Sequence, residues 1–251
     1  MRYSFVLLVL VLMPSFNFAQ SSKVDVSIQV GMNTSSFTNR IGPYGDGEPD
    51  SYKEFVRYSP KIGLGVLYKL NRLYSVQTEL NFSAQGGSYR MKSEDIVDLL
   101  DETNKAYFYK NYRVNYFEVP LLFSVNLSNL IHKDYPEGKI NAVFSAGTAF
   151  SINTASSLRY NGFEASGSGN VFESVEEEYD VEEIGHAQNN VSYVFNFGVN
   201  FFMKKLPAFV NLRYQRTMLN VYDVQELDGY NMQTKMGTFT VSFGLMFKRK
   251  E

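Results

Sequence analysis

The chain has 251 residues, no cysteine, no tryptophan and a formal charge of -2. That length allows one large domain or two small ones. The missing cysteine excludes disulfides and thiol nucleophiles, and the near-neutral balance gives no general attraction to nucleic acid. Aromatic residues make up 16%, all Phe and Tyr, a bias that favours strands over helices.

The N-terminus, MRYSFVLLVLVLMPSFNFAQ, has Arg2, a short apolar run over 4–13, Pro14 and then the small Ala19. The apolar run is too short to cross a bilayer as a helix. The pattern is that of a secretory signal over residues 1–19, leaving 20–251 as the exported domain.

Eight stretches then alternate apolar and polar residues with a period of two. They lie near 24–33, 58–69, 74–85, 112–127, 140–152, 190–202, 207–217 and 237–248. In the fourth, Phe117, Val119, Leu121, Phe123 and Val125 alternate with Glu118, Pro120, Ser124 and Asn126. Short links near 69–72 and 203–207, and a moderate one over 128–138, alternate with long ones near 34–57, 86–111, 153–189 and 218–236. Short turns at one end and long loops at the other mark a transmembrane barrel. The reading is all-β: an eight-stranded antiparallel transmembrane β-barrel in the outer membrane of a Gram-negative bacterium, with both chain ends on the periplasmic side. Residues 94–102, EDIVDLLDE, could add a helical turn or two to the second outer loop.

A soluble ligand-binding barrel also alternates, so the polar face decides. It is built from Gly, Ser, Asn and Gln rather than Lys, Glu and Thr. Small polar groups suit the inside of a narrow barrel. The bulkier Phe, Val, Leu and Ile face then meets lipid over nine to eleven residues per strand, the length a tilted strand needs. Tyr68, Tyr74, Tyr112, Tyr116, Tyr193 and Tyr214 are candidates for an interfacial girdle.

Glu79, Glu118 and Arg213 fall on the inward face, where one guanidinium could serve both carboxylates as a structural lumen network. Lys61 shares that face and is expected nearer one end. Pro120 has no N–H to give a ladder and marks an expected bend or bulge. Two inward carboxylates raise glycoside chemistry, but a crowded interior leaves no space for a sugar, and no catalytic set is visible. The expectation is no enzyme and no cofactor.

The third outer segment, 153–187, carries Glu164, Glu173, Glu176, Glu177, Glu178, Asp180, Glu182 and Glu183 against the single Arg159, about -7 in all. It is expected to be a solvated loop, open to weak divalent-cation binding or to a basic partner. No EF-hand spacing is present. His132 and His186 fall at opposite ends, which argues against a zinc site. The GLG at 63–65 lacks a phosphate-loop pattern; its glycines reduce interior bulk.

The segment NYFEVPLLFSVNL resembles the aromatic-glutamate-aliphatic-proline-leucine-leucine pattern of PorT-like outer membrane barrels of Bacteroidetes-type bacteria. VQTELNFSAQGG, 76–87, is similar to that family's glutamate-containing strand. The resemblance implies an eight-stranded barrel, strand glutamates at Glu79 and Glu118, a proline at Pro120 and a glycine turn at Gly86 and Gly87. It also implies a possible link to type IX protein secretion. The terminal FGLMFKRKE departs from a typical aromatic recognition signal, because four charged residues follow Phe247. Function is therefore expected to be structural, assembly- or secretion-related, or recognition at the outer surface. The alternative is a narrow small-solute channel.

Overall fold

The computed structural model describes residues 23–37, 52–92, 107–131, 140–165, 172–180, 188–201, 207–219, 221, 223–224, 232–233 and 235–248. The signal segment, the 94–102 stretch, both histidines, Glu182 and Glu183 lie outside them.

Eight long strands form the wall: β1 (Val24–Phe37), β2 (Tyr52–Lys69), β3 (Tyr74–Lys92), β4 (Tyr107–Asn126), β5 (Ile140–Ala165), β7 (Asn189–Phe201), β8 (Ala208–Thr217) and β11 (Met236–Lys248). A five-residue helix α1 (Leu127–Ile131) follows β4. The short strand β6 (Phe172–Asp180) pairs with the upper half of β5, and β9 (Asp223–Val224) pairs with β10 (Met232–Gln233). All pairings are antiparallel, and β1 pairs with β11 from Asp25↔Lys248 to Phe37↔Met236, which closes the ring. Closure leaves no unpaired edge in hydrocarbon, where each orphaned backbone group would cost several kcal/mol.

The faces are those the alternation predicts. Ile28, Ile62, Leu80, Phe117, Leu121, Phe195, Leu212 and Phe243 point out and are exposed, whereas Gln29, Asn33, Asn81, Ser83, Asn196 and Thr240 point in and are buried. A water-soluble fold reverses this arrangement.

At the short-turn end the strands stop close to where the periodicity stops. At the long-loop end they run on. β3 continues to Lys92, β4 starts at Tyr107 and β5 reaches Ala165. Much of the expected second and third loops is therefore sheet standing above the outer leaflet. Gly86 and Gly87 sit inside β3 rather than in a turn. Gly86 adopts φ 151 with the Tyr112 carbonyl against its Cα, a position that excludes any side chain. Ser35 Oγ bonds both its N–H (2.9 Å) and its carbonyl (2.8 Å).

Pro120 causes no bulge. The β3–β4 ladder lapses opposite Val119 and Pro120 but resumes unshifted, with Thr78↔Leu121 on one side and Asn81↔Glu118 on the other. Only the donor is lost, on the β3 side, and the β5 side keeps Pro120↔Ala149. The irregularities lie elsewhere. One sits between Val56 and Lys61, where β2 contains Pro60; the other is at Asn115/Tyr116, where β5 has Thr154 as an extra residue. Thr154 Oγ1 donates to the Asn115 carbonyl at 3.0 Å.

The barrel is narrow enough that inward positions compete for space. A Cβ at Gly63 would collide with Asn81 Oδ1, and one at Gly244 with the Phe209 ring. Gly63→Val should cost about 1–3 kcal/mol by overpacking. The folded fraction on an unheated gel would fall accordingly, and an unchanged fraction would contradict this packing.

Candidate functional site

The polar lumen is the site the fold builds. β3 carries Glu79, β4 Glu118, β8 Arg213 and β2 Lys61, and all four are at most 4% exposed. Two acids and two bases leave this layer formally neutral.

Arg213 forks onto Glu79, with Nη1 to Oε2 at 2.8 Å and Nη2 to Oε1 at 2.6 Å. Glu79 also accepts from Gln29 Nε2 (2.8 Å), Gln77 Nε2 (2.6 Å) and Asn81 Nδ2 (2.8 Å). A carboxylate so enclosed has its lone pairs satisfied, the condition under which a buried ion pair is tolerated.

Glu118 is held differently. Its Oε1 accepts from Gln85 Nε2 (2.7 Å) and Gln215 Nε2 (2.9 Å), and its Oε2 faces Lys61 Nζ at 3.9 Å. The single guanidinium expected to bridge both acids therefore bonds Glu79 alone, and Lys61, expected near one end, is the ion partner of Glu118. Strand parity places Lys61 inward, but only the register across β2, β3 and β4 sets its height.

Further bonds tie the layer to the seam. Thr238 Oγ1 donates to Gln85 Oε1 (3.0 Å) and Thr240 Oγ1 to Asn33 Oδ1 (2.8 Å). Asn33 Nδ2 donates to Ser83 Oγ at 2.9 Å. Side chains from β1, β2, β3, β4, β8 and β11 thus meet across the lumen.

Apolar groups close the outer end. Phe37, Val114, Tyr116, Val221 and Met236 form a buried cluster, with Tyr112 packed against it. Tyr112 and Tyr116 are therefore not girdle residues: they share the parity of Glu118 and face in. Tyr68, Tyr74 and Tyr214 face out, and Tyr193 lies 6.4 Å from Tyr214, ring to ring. A second buried cluster, Leu122, Ala149 and Val194, joins β4, β5 and β7. No reading of the residues singled out these apolar plugs; inward apolar residues at Val114, Tyr116 and Leu122 within an otherwise polar parity were the available signal.

Six of the eight acids of the third outer segment lie on strands rather than on a loop. Glu164 belongs to β5 and Glu173, Glu176, Glu177, Glu178 and Asp180 to β6, a hairpin in register from Ser157↔Asp180 to Ala165↔Phe172. Among the described residues no group of three potential metal ligands converges.

A closed antiparallel barrel with a lipid-suited exterior and a filled polar lumen defines an outer-membrane β-barrel protein. Residues 18–223 match the outer membrane protein beta-barrel domain family, and the chain belongs to that family. Its place is the outer membrane of a Gram-negative bacterium, with the strand exteriors in lipid. Among solved structures it is similar to the outer membrane protein OprG from Pseudomonas aeruginosa, with 11% identity, a TM-score of 0.41, and 90% of this chain and 97% of that one covered. It is also similar to Neisserial surface protein A, at 8% identity, TM-score 0.40, and coverage of 90% and 98%. The N-terminal β-barrel domain of Pseudomonas aeruginosa OprF matches at 8% identity and TM-score 0.30, with coverage of 88% and 97%. A comparison with curated proteins gave no match.

Proposed function

We propose that the chain is a plugged outer-membrane scaffold with an accessory role in the assembly, secretion or display of surface proteins, and that it performs no catalysis of its own. The observation carrying this is the lumen: two ion pairs, each held in its own hydrogen-bond network and capped by Tyr116, Phe37 and Met236, occupy the axis a solute would use. The FEVPLL segment of β4 supports a PorT-like affiliation and with it a type IX secretion context. The acid-rich β5–β6 hairpin offers a surface for a basic partner protein, or for weak divalent-cation binding.

The purified barrel in planar lipid bilayers should show no unitary conductance. Reproducible openings by the wild-type protein would instead establish the narrow-channel alternative. Crosslinking in native membranes should recover envelope or secretion proteins; recovery of lipid alone would contradict the accessory role.

A further inference from the structure

One charge stands on the lipid-facing side of the wall. Along the outward parity of the eight wall strands, from Tyr68, Tyr74 and Phe247 at the short-turn end up to Thr34, Asn115 and Gly237, Arg216 is the only charged residue among the described ones. It ends the outward run of β8, after Val210, Leu212 and Tyr214, at the long-loop end. Other runs lose their apolar character on the same side of the barrel. β1 passes from Met32 to Thr34, β4 from Phe117 to Asn115, and β11 from Phe239 to Gly237. That change marks the outer edge of the apolar band. Arginine is costly in the middle of such a band and tolerated at its edge, where headgroups reach it.

The surroundings of Arg216 suit an anion. It pairs across the ladder with Gly237 on β11 and with Tyr193 on β7. Gly237 has no side chain to crowd the guanidinium from that strand. Met236 N donates to Thr217 Oγ1 at 2.9 Å, which holds the preceding residue, Lys235, alongside Arg216. Both basic side chains are partly exposed. Among the described residues no carboxylate is in ion-pair contact with Arg216. Tyr193 and Tyr214 lie on the same patch, with ring centroids 6.4 Å apart. Tyrosine suits a lipid–water boundary, because its ring meets chains and its hydroxyl can donate.

A phosphate matches these donors. A guanidinium forks onto two of its oxygens, and an ammonium adds a point charge. Apolar surface continues directly below, where Phe195, Leu212 and Phe239 are exposed, so the phosphate is one that carries hydrocarbon chains. We propose that Arg216 and Lys235 hold the phosphate of an outer-leaflet lipid, with its chains laid along Tyr214 and Phe239. The site lies outside the lumen and does not depend on the accessory role.

The full-length barrel in detergent micelles is titrated with dimyristoyl phosphatidic acid and, separately, with dimyristoylglycerol, which has the same chains and no phosphate. Native mass spectrometry counts the bound lipid. The wild type should retain the phosphatidic acid about tenfold more tightly. Arg216→Gln should abolish that preference, and Lys235→Gln should reduce it. Arg216→Lys keeps the charge but loses the fork, and should retain only part of it. Arg113→Gln, at an exposed arginine on β4 beyond Asn115, should leave it unchanged. Mobility on an unheated gel checks that each variant is folded. Equal retention of the two lipids, a preference that survives Arg216→Gln, or an equal loss in Arg113→Gln would overturn the proposal and leave Arg216 as an arginine reaching for water. Displacement of the lipid by about 10 mM inorganic phosphate would overturn it too, by assigning the site to a soluble anion.

Discussion

Replacing Arg213 by methionine should destabilise the barrel by about 3–5 kcal/mol, the cost of leaving a buried carboxylate without its counter-charge. Glu79 would keep Gln29, Gln77 and Asn81 as donors but lose the two guanidinium bonds and, among the described residues, its one bonded cation. The variant separates a stabilising pair from a merely tolerated one when it is combined with Glu79→Gln. The double variant removes both charges and should recover much of the loss, because an uncharged amide is far less costly to bury. Lys61→Met should cost less than Arg213→Met. Lys61 approaches Glu118 only to 3.9 Å, and Gln85 and Gln215 remain on the same carboxylate. Urea unfolding in micelles, followed by tryptophan-free far-UV dichroism and by gel mobility, reads all four proteins. Equal losses for Arg213→Met and Lys61→Met, or no recovery in the double variant, would contradict the partner assignment.

Those assignments mark the boundary of what the residues disclose. Period-two alternation discloses strand existence and facing because each inward Asn, Ser or Gly is flanked by outward Val, Phe or Leu. It discloses that Glu79, Glu118, Lys61 and Arg213 share the interior. It does not disclose height, because height depends on the stagger between neighbouring strands, and a one-residue difference anywhere in the ring changes which charges meet. Two such shifts occur, beside Pro60 and at Thr154. Pro120 misled for a related reason. A proline costs one ladder bond, and whether the strand also bends depends on its neighbours. Here β5 holds β4 in register through Pro120↔Ala149, so only the bond is lost. Outer strand extensions escaped notice because sheet above the membrane no longer needs an apolar face. Its sequence, such as Asn111 or Glu177, reads as loop.

The lipid-facing exterior makes the other large expectation. Leu121→Arg should destabilise the barrel by about 2–4 kcal/mol in a bilayer. Leu121 is 58% exposed and pairs with Thr78 and Thr148, midway along the outward run from Phe117 to Val125. The same change at Val26, near the short-turn end opposite Val66 and Phe247, should cost only about 0–1 kcal/mol, because a long arginine there can reach the headgroups. The depth dependence is the discriminating feature. In a water-soluble barrel both positions would be solvent-exposed, and arginine at either would be close to neutral and would improve solubility. The pair of variants, refolded into lipid vesicles and titrated with denaturant, therefore tests the environment rather than the fold. A large penalty at Leu121 with a small one at Val26 requires a hydrocarbon layer centred on the middle of β4. Equal and negligible penalties would mean that water, not lipid, wets the Phe, Leu and Val face.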